Sequence, residues 1–123
     1  MIRTAQALYT FFSGFGIPAY AENTVPDDAA LPYITFPLRE PEWNRKQTFY
    51  AIVYDRSKDS NLSVLSKADE IVREIAGGIE LTCDGGYIVL WPETPLIQAM
   101  APDSDVRAAY INLSINAYHL PGY

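Results

Sequence analysis

Two side chains are the natural candidates for covalent chemistry, the single cysteine Cys83 and the single histidine His119. A cysteine is a nucleophile when a neighbouring base holds it as a thiolate, and histidine is the usual base. The two residues lie far apart in the chain, so their spacing does not pair them. We therefore expect Cys83 to be a structural thiol, and an enzyme that uses this thiol remains a minor alternative.

Other chemical motifs are sparse. Asp27 and Asp28 are adjacent acids in a loop-like stretch, but no third oxygen ligand follows at a suitable spacing. One histidine and one cysteine are too few for the usual zinc site. The glycine pairs at 77–78 and 85–86 lack the flanking residues of a phosphate-binding loop. The sequence thus predicts a protein that is not an enzyme and that has no metal and no cofactor.

The composition suits one small acidic domain. The 123 residues carry a net charge of −6, with a pI near 4.6, and we expect a single domain over residues 1–123. This charge disfavours a protein that binds nucleic acid by neutralising phosphates. Arg39, Arg45 and Lys46 form the only loose basic cluster. Neither a secretion signal nor a membrane-length apolar run is present, so we expect synthesis in the cytoplasm.

Two amphipathic patterns predict helices. Over residues 2–13, apolar side chains recur at helical spacing until Gly14 and Gly16. Over 61–76, Leu65, Ala68 and Val72 belong to one apolar stripe, with Ser60 or Asn61 as the cap and glycines at the end.

The remaining patterns predict an antiparallel sheet. Pro37 indicates an edge strand or a bulge in the first strand, and Asp84-Gly85 indicates the turn of a hairpin. We expect strands over 32–39, 47–55 and 106–118, a hairpin over 79–91, and loops over 19–31, 40–46 and 92–105. The more continuous apolar run over 47–55 indicates burial on both faces and hence a central strand. The loop at 19–31 has a short edge strand as its alternative. The fold class is therefore α+β, with a largely antiparallel or mixed sheet of about four to five strands and two helices packed on one face.

The last predicted strand has the clearest alternation. Apolar and small polar residues take turns along it, which is typical of a strand with one dry and one wet face. The dry positions are Ile111, Leu113 and Ile115, and the wet positions are Asn112, Ser114 and Asn116. The wet positions carry neither charge nor catalytic groups, which also suits a contact between subunits.

One segment resembles a known family. The run from Ile17 through Leu38, with Val25-Pro26-Asp27-Asp28 and Pro32-Tyr33-Ile34-Thr35 as its motif elements, is similar to the N-terminal part of phage tail-completion proteins. These are the tail terminators and head–tail joining proteins of long-tailed phages and prophages. The motif covers about twenty residues, and the order of the elements is compatible over most of the chain.

The resemblance implies a minor structural protein of the virion. Such a protein forms an oligomeric ring, commonly a hexamer, that caps the tail tube, contacts the tube protein and the head-completion or connector proteins, and lets DNA pass. It acts in the bacterial host cytoplasm during virion assembly. The hypothesis assigns ring contacts to sheet edges and loops, with these candidates: Trp43, Arg45, Leu96, Ile97, Met100, Asn112, Ser114 and Asn116.

Other interpretations stay open. If neither Trp43 nor the 92–105 loop contacts another subunit, we expect Trp43 to pack on its own hairpin and the loop to cover the sheet. A small acidic ligand-binding or regulatory α+β domain is the main alternative function, and a head-completion protein is a further one.

Overall fold

The computed structural model describes residues 4–38 and 43–119. The predicted start of the first helix, Arg39 of the basic cluster, and residues 40–42 of the predicted loop lie outside this part. In chain order, the elements are α1 (Ala5–Phe12), a 3₁₀ turn (Ser13–Phe15), β1 (Ala19–Ala21), β2 (Tyr33–Phe36), β3 (Gln47–Arg56), α2 (Leu62–Ile75), β4 (Ile79–Cys83), β5 (Gly86–Asp103) and β6 (Val106–His119).

The six strands form one mixed sheet in the order β1-β2-β3-β6-β5-β4. The β1–β2 pair is parallel and every other pair is antiparallel. The α+β class and the two helices are confirmed, and the count of four to five strands was too low. The additional strand is β1, whose three residues give too short a pattern to stand out from a loop.

Both helices pack against one face of the sheet, which we call the inner face. α2 contacts the central strands β3, β5 and β6, whereas α1 contacts β1 at one edge and β4 at the other. Because one short helix reaches both edges, the sheet curves around the helices. The side chains of β3, β5 and β6 that belong to the hydrophobic core alternate along each strand and line this inner face: Phe49, Ala51, Val53, Ile88, Leu90, Ala109, Ile111, Leu113, Ile115 and Ala117.

The helical stripe of α2 differs by one position from the prediction. Val64, Ala68, Ile71, Val72 and Ile75 are buried. Leu65 is 37% exposed and Leu62 is 72% exposed. A step of one residue turns the helix by about 100°, so Val64 aligns with Ala68 and Ile71, and Leu65 does not. The Ser60 hydroxyl accepts a 3.0 Å hydrogen bond from the Leu62 amide at the start of the helix.

The predicted hairpin and the central strand are confirmed. β4 and β5 pair across Asp84-Gly85, and Gly85 has a φ of +82°. β3 pairs with β2 on one side and with β6 on the other, so it is central. The prediction from Pro37 was wrong, because β2 lies between β1 and β3 and ends at Phe36, before the proline.

The long loop predicted over residues 92–105 was also wrong. Most of this stretch belongs to β5, which runs to Asp103 and pairs with β6. The pairing shifts register between Pro92 and Ile97 and again between Met100 and Asp103, and these shifts take up Pro95 and Pro102. Only Ser104 and Asp105 remain as the turn into β6.

The turn between β5 and β6 is fastened to the loop after β3. The Ser57 amide donates a 2.8 Å hydrogen bond to the Asp105 carbonyl oxygen, and Arg56 forms an ion pair with the Asp105 carboxylate. Arg107 donates to the Lys58 carbonyl oxygen. The end of the β5–β6 hairpin is therefore held against the sheet. Among the described residues, neither helix has the length and apolar character needed to cross a bilayer.

Candidate subunit-contact face

The face of the sheet opposite the helices, which we call the outer face, is rich in tyrosine. Strand alternation places there the side chains that lie between the buried inner positions, and the register confirms it, since Tyr33 pairs with Tyr54 and Tyr87 pairs with Tyr118. Seven of the nine tyrosines are on this face: Tyr20, Tyr33, Tyr50, Tyr54, Tyr87, Tyr110 and Tyr118.

The tyrosine rings pack against one another across strands. Ring centroids are 5.6 Å apart for Tyr20 and Tyr33, and 5.4 Å apart for Tyr33 and Tyr54. Two further pairs, Tyr50 with Tyr110 at 5.6 Å and Tyr87 with Tyr118 at 5.1 Å, continue the pattern. Each of these side chains is half-buried. The rings thus make an ordered, amphipathic surface that requires little further loss of side-chain freedom when a partner binds.

The environment of Tyr54 shows how closely these phenols lie. Burial raises the pKa of Tyr54 above its ordinary value of 10.0, and the neighbouring phenols of Tyr110 and Tyr33 raise it further, while a hydrogen bond with Thr35 acts in the opposite direction. At the border of the face, the Tyr50 hydroxyl donates a hydrogen bond to the Glu22 carboxylate.

The middle parts of the two central strands, β3 and β6, contribute no charged side chain to the outer face. The outward positions of β3 from Thr48 to Tyr54, and those of β6 from Ala108 to Tyr118, contain no Asp, Glu, Lys or Arg. On β5, Trp91 is 42% exposed and Met100 is 46% exposed. Aromatic residues and methionine are enriched, and acids and lysine depleted, at the centres of protein interfaces. A surface of this composition is notable in a chain with a net charge of −6.

The alternation of β6 is confirmed, but its polar positions are drier than predicted. Ile111, Leu113 and Ile115 are buried, as expected. Ser114 is only 1% exposed, since it lies between the neighbouring strands, opposite Trp91 on one side and Thr48 on the other. The description of Ser114 as a wet position was therefore wrong.

The Asn112 side chain links β6 to β5 on the outer face. Its side-chain amide donates hydrogen bonds to the Pro95 carbonyl oxygen at 2.6 Å and to Gln98 Oε1 at 2.9 Å. These bonds fasten the irregular part of β5 to β6. The Ser114 hydroxyl and Asn116 Oδ1 are buried, and Asn116 Oδ1 has no hydrogen-bond partner among the described residues.

The other proposed contact residues separate into two groups. Met100 lies on the outer face, in register with Ala108. Leu96 and Ile97 are half-buried and pack against the chain's own core, as does Trp43. Arg45 is exposed, next to the start of β3. The structure thus brings Met100 together with Asn112, Ser114 and Asn116, and it places the other candidates elsewhere.

Trp43 is fixed at the end of the sheet. It forms a parallel bridge with Ala117, and the next amide, that of Asn44, donates a 2.5 Å hydrogen bond to the Ala117 carbonyl oxygen. The indole lies so near Gly86 that a Cβ on that glycine would be 2.9 Å from its Cζ3 atom. This packing is within the chain, and it supplies a structural role for Trp43.

A polar cleft of about 450 Å³ opens where β3 begins, between β6 and the irregular part of β5. Lys46 and Glu93 form a 2.9 Å ion pair at the cleft. The hydrogen bond from Lys46 lowers the pKa of the Glu93 carboxyl below its ordinary value of 4.5, and the nearby Ser114 hydroxyl contributes to the lowering. Thr48, Asn112 and Ser114 also line this cleft, so the cleft opens on the outer face.

The candidate chemical residues are placed as follows. Cys83 ends β4 and is half-buried against the core. Asp27 and Asp28 are exposed in the loop between β1 and β2. Within residues 4–38 and 43–119, no three His, Cys, Asp or Glu side chains are grouped so as to hold a metal ion.

Sequence reasoning identified the strand at the centre of the outer face but missed its partners. The signal was present, because Tyr50 and Tyr54, and likewise Tyr110 and Tyr118, are separated by even numbers of residues and so share a strand face. The order of the strands was needed to place these pairs side by side.

Comparison with known proteins assigns no family. No protein-family model matches the chain, and no curated protein matches its sequence. The resemblance to tail-completion proteins therefore stays a prediction.

Proposed function

We propose that this chain is a structural virion protein, a tail terminator that forms a ring on the end of a phage tail tube and joins it to the head. The observation that supports the proposal best is the outer face, an ordered surface rich in tyrosine, with Trp91 and Met100 exposed and no charged side chain contributed by the middle parts of its two central strands. The tail assignment itself comes from the resemblance in residues 17–38.

The size of the outer face suits a contact between copies. Four strands at a spacing of about 4.8 Å, over about ten residues of β6, cover roughly 600 Å². Stable interfaces bury about 800 Å² from each partner. The central part of the face thus supplies about three quarters of such an area.

A second copy is the partner that the charges favour. The molecule as a whole is acidic, so two copies repel each other wherever charged surfaces meet. The outer face, to which the middle parts of β3 and β6 contribute no charged side chain, is the place where this repulsion is smallest. In the proposed ring, at least part of the outer face is covered by the neighbouring subunit.

The test is the mass of the particle in solution, measured by light scattering after size-exclusion chromatography. We expect a ring of several subunits for the wild type. Met100→Glu places a charge on the outer face and should raise the dissociation constant at least tenfold. Leu62→Glu is the matched control, because Leu62 is exposed on α2 and lies on the helix side.

A second measurement uses tail tubes. It is needed because a terminator that assembles only on a tube would be a monomer when measured alone. The chain is mixed with tubes of the tube protein encoded in the same genome, and the tube ends are viewed by negative-stain electron microscopy. Capped ends that Met100→Glu removes and Leu62→Glu keeps support the proposal. A wild-type monomer that leaves the tubes uncapped, or equal effects of the two variants, contradicts it.

A ligand-binding or regulatory domain is the second candidate function, and the cleft at Lys46 and Glu93 is the observation that favours it. A monomeric chain that is stabilised by a small polar ligand, with the effect lost in Lys46→Met, would favour this alternative. A head-completion protein would form a ring that binds the portal end of the head and leaves tail tubes uncapped.

A further inference from the structure

A groove of about 610 Å³ lies on the helix side of the molecule, away from the outer face. It runs between the end of α1 with its 3₁₀ turn and the second half of α2. Phe11 and Phe15 form its apolar part, and their half-buried rings meet edge to face with centroids 5.4 Å apart. Glu70, Arg73 and Glu74 line the opposite wall.

The charges along the groove do not cancel. Arg73 is paired with Asp69 at 2.8 Å. Lys67 is paired with Glu70 at 3.0 Å and also donates to the Phe15 carbonyl oxygen at 2.8 Å. Glu74 takes part in neither pair and has no ionic partner within residues 4–38 and 43–119. The groove therefore combines an aromatic surface with one uncompensated carboxylate.

A guanidinium group fits this combination better than other side chains do. Its flat face stacks on aromatic rings, its methylene stem covers apolar surface, and its N–H groups pair with a carboxylate. A lysine ammonium offers the charge without the flat face. The net charge of −6 adds an attraction for basic partners at longer range.

We propose that this groove binds an arginine side chain presented by an apolar-flanked segment of a partner protein that is not a copy of this chain. Because the groove lies on the helix side, this contact leaves the outer face open. It does not depend on the tail assignment.

The test uses a dye-labelled peptide, acetyl-Gly-Leu-Arg-Leu-Gly-amide, and follows its fluorescence anisotropy as the full chain is added. The reference peptide carries citrulline, the neutral isostere of arginine, at the centre. We expect weak binding of the arginine peptide. The citrulline peptide should bind about two- to fivefold more weakly, because it cannot form the exposed ion pair.

Two variants locate the site. Glu74→Gln should weaken binding of the arginine peptide by about two- to fivefold. Glu80→Gln is the matched control, because Glu80 is exposed on β4, outside the groove. Phe15→Leu keeps an apolar side chain but removes the ring, and it should weaken binding by a similar factor.

Equal binding of the two peptides, or equal effects of Glu74→Gln and Glu80→Gln, would overturn the inference. A change in the chain's own particle mass on Glu74→Gln would mean that a second copy occupies the groove, which also overturns it. A monomeric chain that binds the arginine peptide through Glu74 would leave this inference intact while contradicting the ring.

Discussion

At the scale of single residues, one tryptophan packs directly on a glycine. Trp91 lies against Gly78, where a Cβ would be 2.5 Å from its Cζ3 atom, whereas at Gly86 the Tyr118 carbonyl oxygen, 1.9 Å from a Cβ, is nearer than Trp43. Gly78 also has a φ of +90°. Trp91 can therefore lie flat at the border of the outer face only because residue 78 has no side chain.

Replacement of Gly78 by alanine tests this packing. Gly77 is the matched control, since its φ is +86° but no atom lies within 4 Å of its Cβ position. Gly77→Ala should lower the free energy of unfolding by about 1–2 kcal/mol through backbone strain alone. Gly78→Ala should cost about 1–3 kcal/mol more, because the indole must move. Urea unfolding followed by tryptophan fluorescence gives both values, and equal losses would show that the contact with Trp91 has no energetic weight.

At the scale of elements, β5 has two parts that differ in their pairing. Its first part, up to Leu90, pairs with β4 on one side and β6 on the other. Beyond Leu90 it pairs only with β6 among the described residues, and Pro92, Pro95 and Pro102 fall in this part. Prolines suit an edge strand, where fewer amides have to donate. The hydrogen bonds of Asn112 hold the irregular stretch in place.

Removal of the Asn112 side chain tests the role of these hydrogen bonds. Asn112→Ala should lower the free energy of unfolding by about 1–2 kcal/mol, since two hydrogen bonds are lost. It should also speed amide hydrogen exchange between residues 93 and 98. Gln98→Ala removes only the second bond and should cost less than Asn112→Ala. Unchanged exchange in Asn112→Ala would mean that the register shift of β5 holds without this side chain.

At the scale of the whole molecule, the sheet separates two kinds of surface. The outer face is aromatic, and the middle parts of its central strands contribute no charged side chain, whereas the exposed side of α2 carries several charged residues. The net charge of −6 acts between molecules as a general repulsion. When two copies meet through the outer face, burial of the aromatic surface attracts them, and the net negative charge of the two molecules repels them.

Added salt should weaken the charge repulsion between copies more than the apolar contact between them. Because the Debye length falls from about 30 Å at 0.01 M to about 10 Å at 0.1 M, added salt screens the repulsion and leaves the apolar contact. We expect self-association to strengthen several-fold between these two salt concentrations, as measured by sedimentation equilibrium. Weaker association at higher salt would indicate that ion pairs, and not the outer face, hold the copies together.

Local signals were sufficient for several elements. The alternation of β6, the apolar run of β3 and the Asp84-Gly85 turn each lie within a few neighbouring residues, so the sequence by itself determined them. The α+β class followed from their order. The even spacing of Tyr50 and Tyr54 already placed both on one strand face, although not beside Tyr110.

Tertiary structure decided the features that depend on a distant partner. The proline-rich stretch after Pro92 becomes a strand because β6 supplies the hydrogen bonds that no local pattern shows. Ser114 is buried because β5 and β3 flank it, and the seven tyrosines meet because the strand order places β6 between β3 and β5. Backbone pairing and burial are properties of neighbours in space, whereas periodicity reports only neighbours along the chain.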